Sequence, residues 1–582
     1  MDSNLKPSNA NNNFKEVLLK KLSYAVTFSV LSHLIVIFMY TFIINFSVQP
    51  LQWLRQTFST LTSFTTWLHL IPFASIIFAQ IMICAKDYVL KGTCQLTRFR
   101  RFISIFSVRT FLLGLLHVAV GGVAIWLYLS LSESQYQNLY NSCKDSNQCL
   151  VEGSFFMILS GLWTGLYFFV QVCLSDKNLI FPVIQQRKLL YFKARFLPLL
   201  KESKEAAFYP TAYFFLIYYS FGSYLRDLFA HSFKLHVQDD HLNIFLYGYV
   251  WIFATLYILN MNLMRFFFEL FLTEPIVYPI TTMYDTEASL SEAFFLNNMP
   301  ILQHLACLDL YLLSMWSPQR RQSLFTLSQP GGHSHTWNHM VQGALQLINE
   351  FTHTLNRSAD VLTKDEKLKP LTDKPETSFK STPYIQHQPS IPQVKQKYPN
   401  MRNISMSSLQ QLDPIMIEHQ QNMNTSPLTS GISETSESVQ EKLNRYLDCL
   451  KSFQIIKYVF GELPEVQIQH CLRNGQLIVW TTQGLSNIAV ASFTEDPYGV
   501  VQKDLPVLIT SLIELKLSIE KLNKVPMFSR KGPGFDYFSF KMKNSVNTAV
   551  KRSLCNICLT FGSYLQDIPL KRDIALQLQC YL

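Results

Sequence analysis

The chain has 582 residues, enough for several domains. Of these, 48% are apolar, including 45 phenylalanines and 27 tyrosines, a load that excludes a simple soluble globule. Its 50 basic and 40 acidic side chains leave a formal charge of +10, but the basic residues of the first half flank long apolar runs instead of forming one stripe. That placement reads as membrane-flanking cation, so no direct nucleic-acid contact is expected.

Polar, Asn-rich sequence precedes the first apolar run, and that run is too long for the core of a secretory leader. The 1–21 tail is therefore expected to be retained. A bilayer core takes about 20 helical apolar residues to cross. Six stretches qualify between residues 22 and 264: about Leu22 to Val48, Thr65 to Cys84, Thr110 to Leu131, Gly153 to Leu174, Ala206 to Leu225, and Leu242 to Met264. None contains a formally charged side chain, which argues against soluble core helices.

The connecting loops set the orientation, because Lys and Arg accumulate on the cytoplasmic side. The N-tail offers Lys15, Lys20 and Lys21. The second loop carries Lys86, Lys91, Arg98, Arg100, Arg101 and Arg109, and the fourth carries Arg187, Lys188, Lys193, Arg195 and others. The odd loops hold only Arg55, Lys144, Arg226 and Lys234. Both termini are thus predicted to face the cytoplasm. Cys143 and Cys149 fall in the third, luminal loop, where an oxidising compartment allows a small disulfide ring; two free thiols are the alternative. The lone Cys555 and Cys558 pair lacks the second half of a zinc site.

Transporters and proton relays place ionisable groups inside the membrane. Here only His33 and His117 are titratable at positions expected to be buried, and each is expected to hydrogen-bond between helices. Gly161 and Gly165 have the GxxxG spacing that suits close helix packing, although chance could also produce it. In the fourth loop, QQRKLLYFKARFLPLLK, apolar residues recur at helical spacing while Arg187, Lys188, Lys193 and Arg195 occupy other faces. Such a helix fits either the headgroup layer, in contact with lipid, or the underside of the bundle.

After residue 264 a cytoplasmic helical segment is predicted to residue 361, with one apolar helix at 301–316 and a short one opened by Arg320 and Arg321. Residues 362–440 are rich in Ser, Pro, Gln, Asn and Thr and are expected to be a disordered linker. A mostly helical domain follows from 441 to 582. Helices are predicted at 442–460, from an Asp504 N-cap through Leu522, at 545–564 and near the C-terminus. Asn474-Gly475 signals a hairpin within VQIQHCLRNGQLIVW.

The stretch TLSQPGGHSHTW raises the question of a metal. His333, His335 and His339 lack a further ligand at a standard spacing, so no metal or catalytic centre is predicted. Pro330, Gly331 and Gly332 instead suit a helix stop and turn, with Trp337 as a packing anchor.

The run LDLYLLSMWSPQRRQSLFTLSQPGGHSHTW, Leu308 to Trp337, resembles the cytoplasmic signature of the nuclear division cycle family of pore-membrane nucleoporins. The runs QGLSNIAVASFTEDPYGVVQKDLPVLI, Gln483 to Ile509, and FPVIQQRKLLYF, Phe181 to Phe192, resemble further blocks of that family. The resemblance implies a non-enzymatic anchor of the nuclear pore complex in the nuclear envelope, without cofactors and with a role in pore assembly. It also implies contacts with soluble nucleoporins, among them aladin and a membrane-binding nucleoporin with an RRM-like fold. Apart from the resemblance, Arg320, Arg321, Pro330, Gly331, Gly332 and Trp337 are the candidate structural turn or partner surface. The fold expected is an integral membrane, all-α six-helix bundle with a mostly α-helical cytoplasmic domain interrupted by the disordered linker. A transporter or channel is the competing class and would need polar, water-lined spans; a membrane-bound transferase would need a His/Asp or metal constellation.

Overall fold

The computed structural model describes residues 8–581 except 47, 65–66, 69–70, 72–73, 76, 80, 83–96, 132–135, 137, 143–147, 174–180, 182–186, 238–243, 281–287, 328, 330–331, 368–457, 462, 526–527 and 529–535. In the first half the order is α1 (Ser8–Ile44), α2 (Pro50–Thr62), α3 (Arg98–Ile105), α4 (Val108–Leu131), β1 (Tyr140–Ser142), β2 (Gln148–Leu150), α5 (Glu152–Cys173), α6 (Lys188–Phe233), β3 (His236–Val237) and α7 (Ile244–Leu272). The second half adds α8 (Leu290–Ala293), α9 (Pro300–Trp316), α10 (Pro318–Phe325), α11 (His335–Lys367), α12 (Pro464–Arg473), α13 (Gly475–Glu495), α14 (Val500–Lys521), α15 (Tyr537–Phe561) and α16 (Arg572–Leu578).

Among the described residues, four helical segments are long and apolar enough to cross a membrane: Asn12–Ile44, Thr110–Leu131, Glu152–Gln171 and Phe245–Leu272. Much of the second expected span lies outside the described residues. The fifth expected span sits inside α6, a helix of 46 residues that includes Pro198 and Pro210. At 1.5 Å per residue α6 is roughly 70 Å long, over twice the hydrocarbon thickness. The basic segment of the fourth loop is therefore not the separate helix expected. Its KESKEAA stretch is made of helix-compatible residues with no breaker, so the helix runs on.

Helix α1 packs on α7, α7 on α6, and α4 on α5. The α4–α5 crossing is close enough to exclude side chains. A Cβ on Gly161 would stand 2.7 Å from the Gly121 carbonyl oxygen, while one on Gly165 would run into the His117 carbonyl. Small residues let two backbones approach this closely, which is how helices associate where lipid supplies no hydrophobic drive. Polar pairs tie α4 to α1 and α7. Tyr40 donates to the Tyr128 carbonyl at 2.9 Å, and Asn260 donates to the Tyr128 hydroxyl at 2.8 Å. His33 and His117 each bond through Nδ1 to a carbonyl of their own helix, Ser29 and Leu113, and the His117 ring also meets Phe168 and Phe169 of α5.

A small sheet joins two connecting loops. Strands β1 and β2 are antiparallel with Asn141 opposite Cys149, and β3 runs parallel to β2 with His236 opposite Cys149.

In the second half, α13 lies between α9 and α15. The hairpin expected around Asn474-Gly475 is absent: the stretch forms α12 and α13, hinged at Asn474 with φ −88° and ψ 7°. Gly475 is used for proximity, since a Cβ there would meet Met542 at 2.6 Å. Ile478, Leu485, Ile488 and Ala489 are all buried at helical spacing, and packing against two helices overrides the local turn signal. Asp504 is not an N-cap. Helix α14 starts at Val500 after Gly499, whose φ is +66°, and Asp496 accepts the Tyr498 and Val501 N–H groups at 3.0 Å each. Helix α15 begins earlier than expected because the Asp536 side chain caps it at the Phe538 N–H. Helix α11 runs to Lys367, beyond the expected linker boundary, while the rest of the linker and most of the 442–460 helix lie outside the described residues. Residues up to Glu366 and from Val459 onward form one compact unit.

Candidate functional site

The C-terminal end of α7 is the first fixed point of the junction between the apolar bundle and the helices that follow. Lys21, from α1, donates to the Phe271 and Glu274 carbonyls at 3.2 and 2.7 Å. Cations belong at a helix C-terminus, where unsatisfied carbonyls carry partial negative charge. The Glu274 carboxylate accepts Lys188 of α6 at 2.7 Å, and the same ammonium lies 4.9 Å from the Phe271 ring centroid. One turn of chain thus ties three helices together. Lys188 is therefore already paired with protein. Of the other basic residues on this stretch, Arg187 is exposed and precedes the helix, Lys193 is exposed, and Arg195 pairs with Glu202 at 3.1 Å.

The next fixed point is Asp309, on α9. Its Oδ2 accepts the Tyr278 N–H at 3.0 Å, and both carboxylate oxygens accept Arg320, at 2.9 and 2.8 Å. Arg320 also donates to the Tyr278 carbonyl at 2.7 Å. This forked geometry suits a guanidinium and a carboxylate, and it anchors the segment leaving α7 to both α9 and α10. Burial, followed by the Asp309 charge, holds the Tyr278 hydroxyl well above its ordinary pKa. Arg321 makes the corresponding link to α13: Nε and Nη2 donate to Glu495 at 2.9 and 2.6 Å, while Nη1 donates to the Ser314 carbonyl at the end of α9.

Trp337 is completely buried, and its indole N–H donates to Asp504 at 2.9 Å. It therefore forms part of the interior, joining α11 to α14, and itself offers no face to a partner. An indole is apolar along its length with one donor at its edge, so it fits a core position that offers an acceptor. Pro330 and Gly331 lie outside the described residues, whereas the Gly332 N–H closes a turn onto the Gln329 carbonyl at 2.8 Å. His335 opens α11, and His339 meets the Phe295 ring at 5.3 Å. Among the described residues, no three His, Cys, Asp or Glu side chains gather around a space for a metal ion.

The fourth loop reaches the same core. Phe181 is buried, stacks on His304 of α9 at 5.1 Å and meets Trp480 of α13 edge-on at 5.6 Å. Burial lowers the His304 pKa, partly opposed by its bond to the Pro300 carbonyl. Burial also pushes the Cys307 and Cys471 thiols up to about 12, which leaves almost no thiolate for nucleophilic chemistry at neutral pH. What these side chains do is join elements.

Some linking groups give no signal in sequence. Glu152 receives Arg226 at 3.3 Å and Tyr218 at 3.3 Å, tying α5 to α6 beside the small sheet. Cys149 is disulfide-bonded; Cys143 lies outside the described residues. Exposed large side chains remain where the helices end. Trp316, at the last position of α9, is 76% exposed, and Met315 beside it is 46% exposed. Its signal lay in the same SMWSP stretch that supplied the arginines, but periodicity cannot tell a terminal tryptophan that faces out from one that faces in.

The family model described as nucleoporin protein Ndc1-Nup matches residues 15–579. Curated relatives agree with it across almost the whole chain. Nucleoporin NDC1 of Xenopus laevis is 26% identical over 92% of this chain and 93% of its own length. The human nucleoporin NDC1 is 25% identical over 92% of each chain, and nucleoporin Ndc1 of Drosophila pseudoobscura pseudoobscura is 27% identical over 95% of each.

Proposed function

This chain belongs to the Ndc1-Nup family of nucleoporins, and we propose that it anchors the nuclear pore complex in the pore membrane and recruits soluble nucleoporins during pore assembly. Six spans hold the chain in the membrane, with both termini on the cytoplasmic side of the pore. The work is mechanical and not catalytic. One observation carries the reading: the segment leaving α7 is held at Tyr278 by the Asp309–Arg320 pair, and the adjacent Arg321 holds Glu495 of α13, so the second half is tied to the chain leaving the apolar helices.

The partners are soluble nucleoporins, including aladin and a membrane-binding nucleoporin with an RRM-like fold. Their docking surface includes Trp316, because an exposed tryptophan at a helix end is the residue type that dominates binding energy at interfaces. Arg320, Arg321 and Trp337 support that surface from within. A biotin ligase fused to the C-terminus of the full chain should label these partners at the nuclear rim. Trp316→Ala should reduce the labelling about tenfold or more, the loss expected for a hot-spot side chain, without moving the protein from the envelope. Labelling spread over the endoplasmic reticulum with no enrichment of nucleoporins would end the reading.

A further inference from the structure

Helix α3, RFRRFISI, stands just before the apolar helix α4 and has two unlike faces. Phe102, Ile103 and Phe106 are 59%, 50% and 70% exposed, and their spacing puts them on one side. Phe102 and Phe106 hold each other at 4.7 Å, whereas Phe99, on the same stripe, packs on Phe460 at 4.4 Å. Arg98, Arg100 and Arg101 are exposed on the remaining faces. Water is a poor neighbour for two adjacent phenylalanines and an isoleucine.

The local bonding keeps α3 apart from α4. The Thr97 side chain caps α3 at the Arg100 N–H, at 3.2 Å. At the other end Thr110 donates to the Ser104 carbonyl at 2.8 Å, and Ser107 caps α4 at the Thr110 N–H, at 3.3 Å. The chain therefore turns at Phe106–Ser107, and α3 does not continue the spanning helix. Directly beyond the turn, Phe111, Leu112 and Leu115 of α4 are 66%, 58% and 56% exposed, the apolar surface a spanning helix gives to lipid. The α3 face adjoins that surface along the chain, Phe106 standing five residues before Phe111.

We propose that α3 is an interfacial helix, with Phe102, Ile103 and Phe106 inserted at the headgroup boundary of the cytoplasmic leaflet and its arginines on anionic lipid phosphates. The occupant follows from two features: the apolar face adjoins a lipid-facing surface, and the charge on the other faces is complementary to an anionic leaflet. The inference rests on α4 spanning the membrane with the second loop cytoplasmic.

The test uses the full chain in phosphatidylcholine vesicles, with and without phosphatidylserine. A nitroxide-bearing unnatural residue is placed at Arg100, Phe102 or Leu115 in turn, and its collisions with oxygen and with a water-soluble nickel chelate are compared. Phe102 and Leu115 should report lipid and Arg100 should report water. Phosphatidylserine should deepen Phe102, and Arg98→Gln, Arg100→Gln and Arg101→Gln together should reverse that gain, each arginine shifting the inserted fraction about fivefold. The three corresponding Lys substitutions should retain it. Water contact at Phe102 in both lipid mixtures, with Leu115 still in lipid, would overturn the proposal. So would shielding of Phe102 from both reagents, which would mean that protein covers this face. Water contact at Leu115 would instead overturn the spanning assignment underneath.

Discussion

Asp309 is 1% exposed and accepts bonds from a backbone N–H and a guanidinium, so little of its charge remains uncompensated. Removing it would leave the buried Tyr278 N–H without its acceptor and Arg320, whose side chain is 24% exposed, without its carboxylate. Asp309→Leu should cost on the order of 3–5 kcal/mol, the usual penalty for orphaning half of a buried ion pair. Asp309→Leu with Arg320→Leu should cost less than the single change, because the orphaned charge is then gone. Thermal unfolding of the purified chain in detergent measures both; a double variant no more stable than the single one would show that the pair is not the source of the stability. Sequence showed Arg320, Arg321 and Trp337 as notable but not what they touch. Arg321 and Glu495 are 174 positions apart, and no local pattern announces such a pair. For the same reason the acceptor that holds Trp337, Asp504, could not be named from the sequence around it.

At the level of helices, legibility follows the source of the stabilisation. Long apolar runs were readable because a span must satisfy its own backbone bonds, whatever surrounds it. The stretch at Asn474-Gly475 was misread because its turn signal is local while the decisive packing, against α9 and α15, is remote. The glycines of the α4–α5 crossing lie between these cases. Their spacing is visible in sequence, yet the close approach shows only when Gly121 and Gly161 face each other. Gly161→Leu should drive a side chain into the Gly121 carbonyl and lower stability by about 1–3 kcal/mol or more, as overpacking does. Gly248 of α7 is the control, because a Cβ there meets nothing within 4 Å. Its Leu variant should unfold at nearly the wild-type temperature, and equal losses from the two substitutions would remove the close crossing as the cause.

Across the whole molecule, the uneven distribution of Lys and Arg among alternate loops predicts the side of the membrane each loop occupies. Glycan attachment reads that side directly, since acceptor sequences are modified only in the lumen. Lys144→Asn completes an acceptor with Ser146 in the third loop, and Lys91→Asn completes one with Thr93 in the second. The wild-type chain already carries an acceptor at Asn403-Ile404-Ser405, in a segment predicted to be cytoplasmic, which should stay bare and serve as the baseline. Only the Lys144→Asn chain should gain mass that an endoglycosidase removes. The same compartment bears on Cys149, which lies in β2 beside the tip of that loop and is disulfide-bonded. A pairing with Cys143 would close the hairpin across residues 143–149, where oxidation is possible only on the luminal side. Peptides prepared without reductant from the glycosylated chain should therefore hold Cys143 and Cys149 as one linked species. A glycan on the Lys91→Asn chain would place the third loop in the cytoplasm and invert every span beside it, whereas both thiols freely alkylated in unreduced protein would remove the Cys143–Cys149 pairing alone.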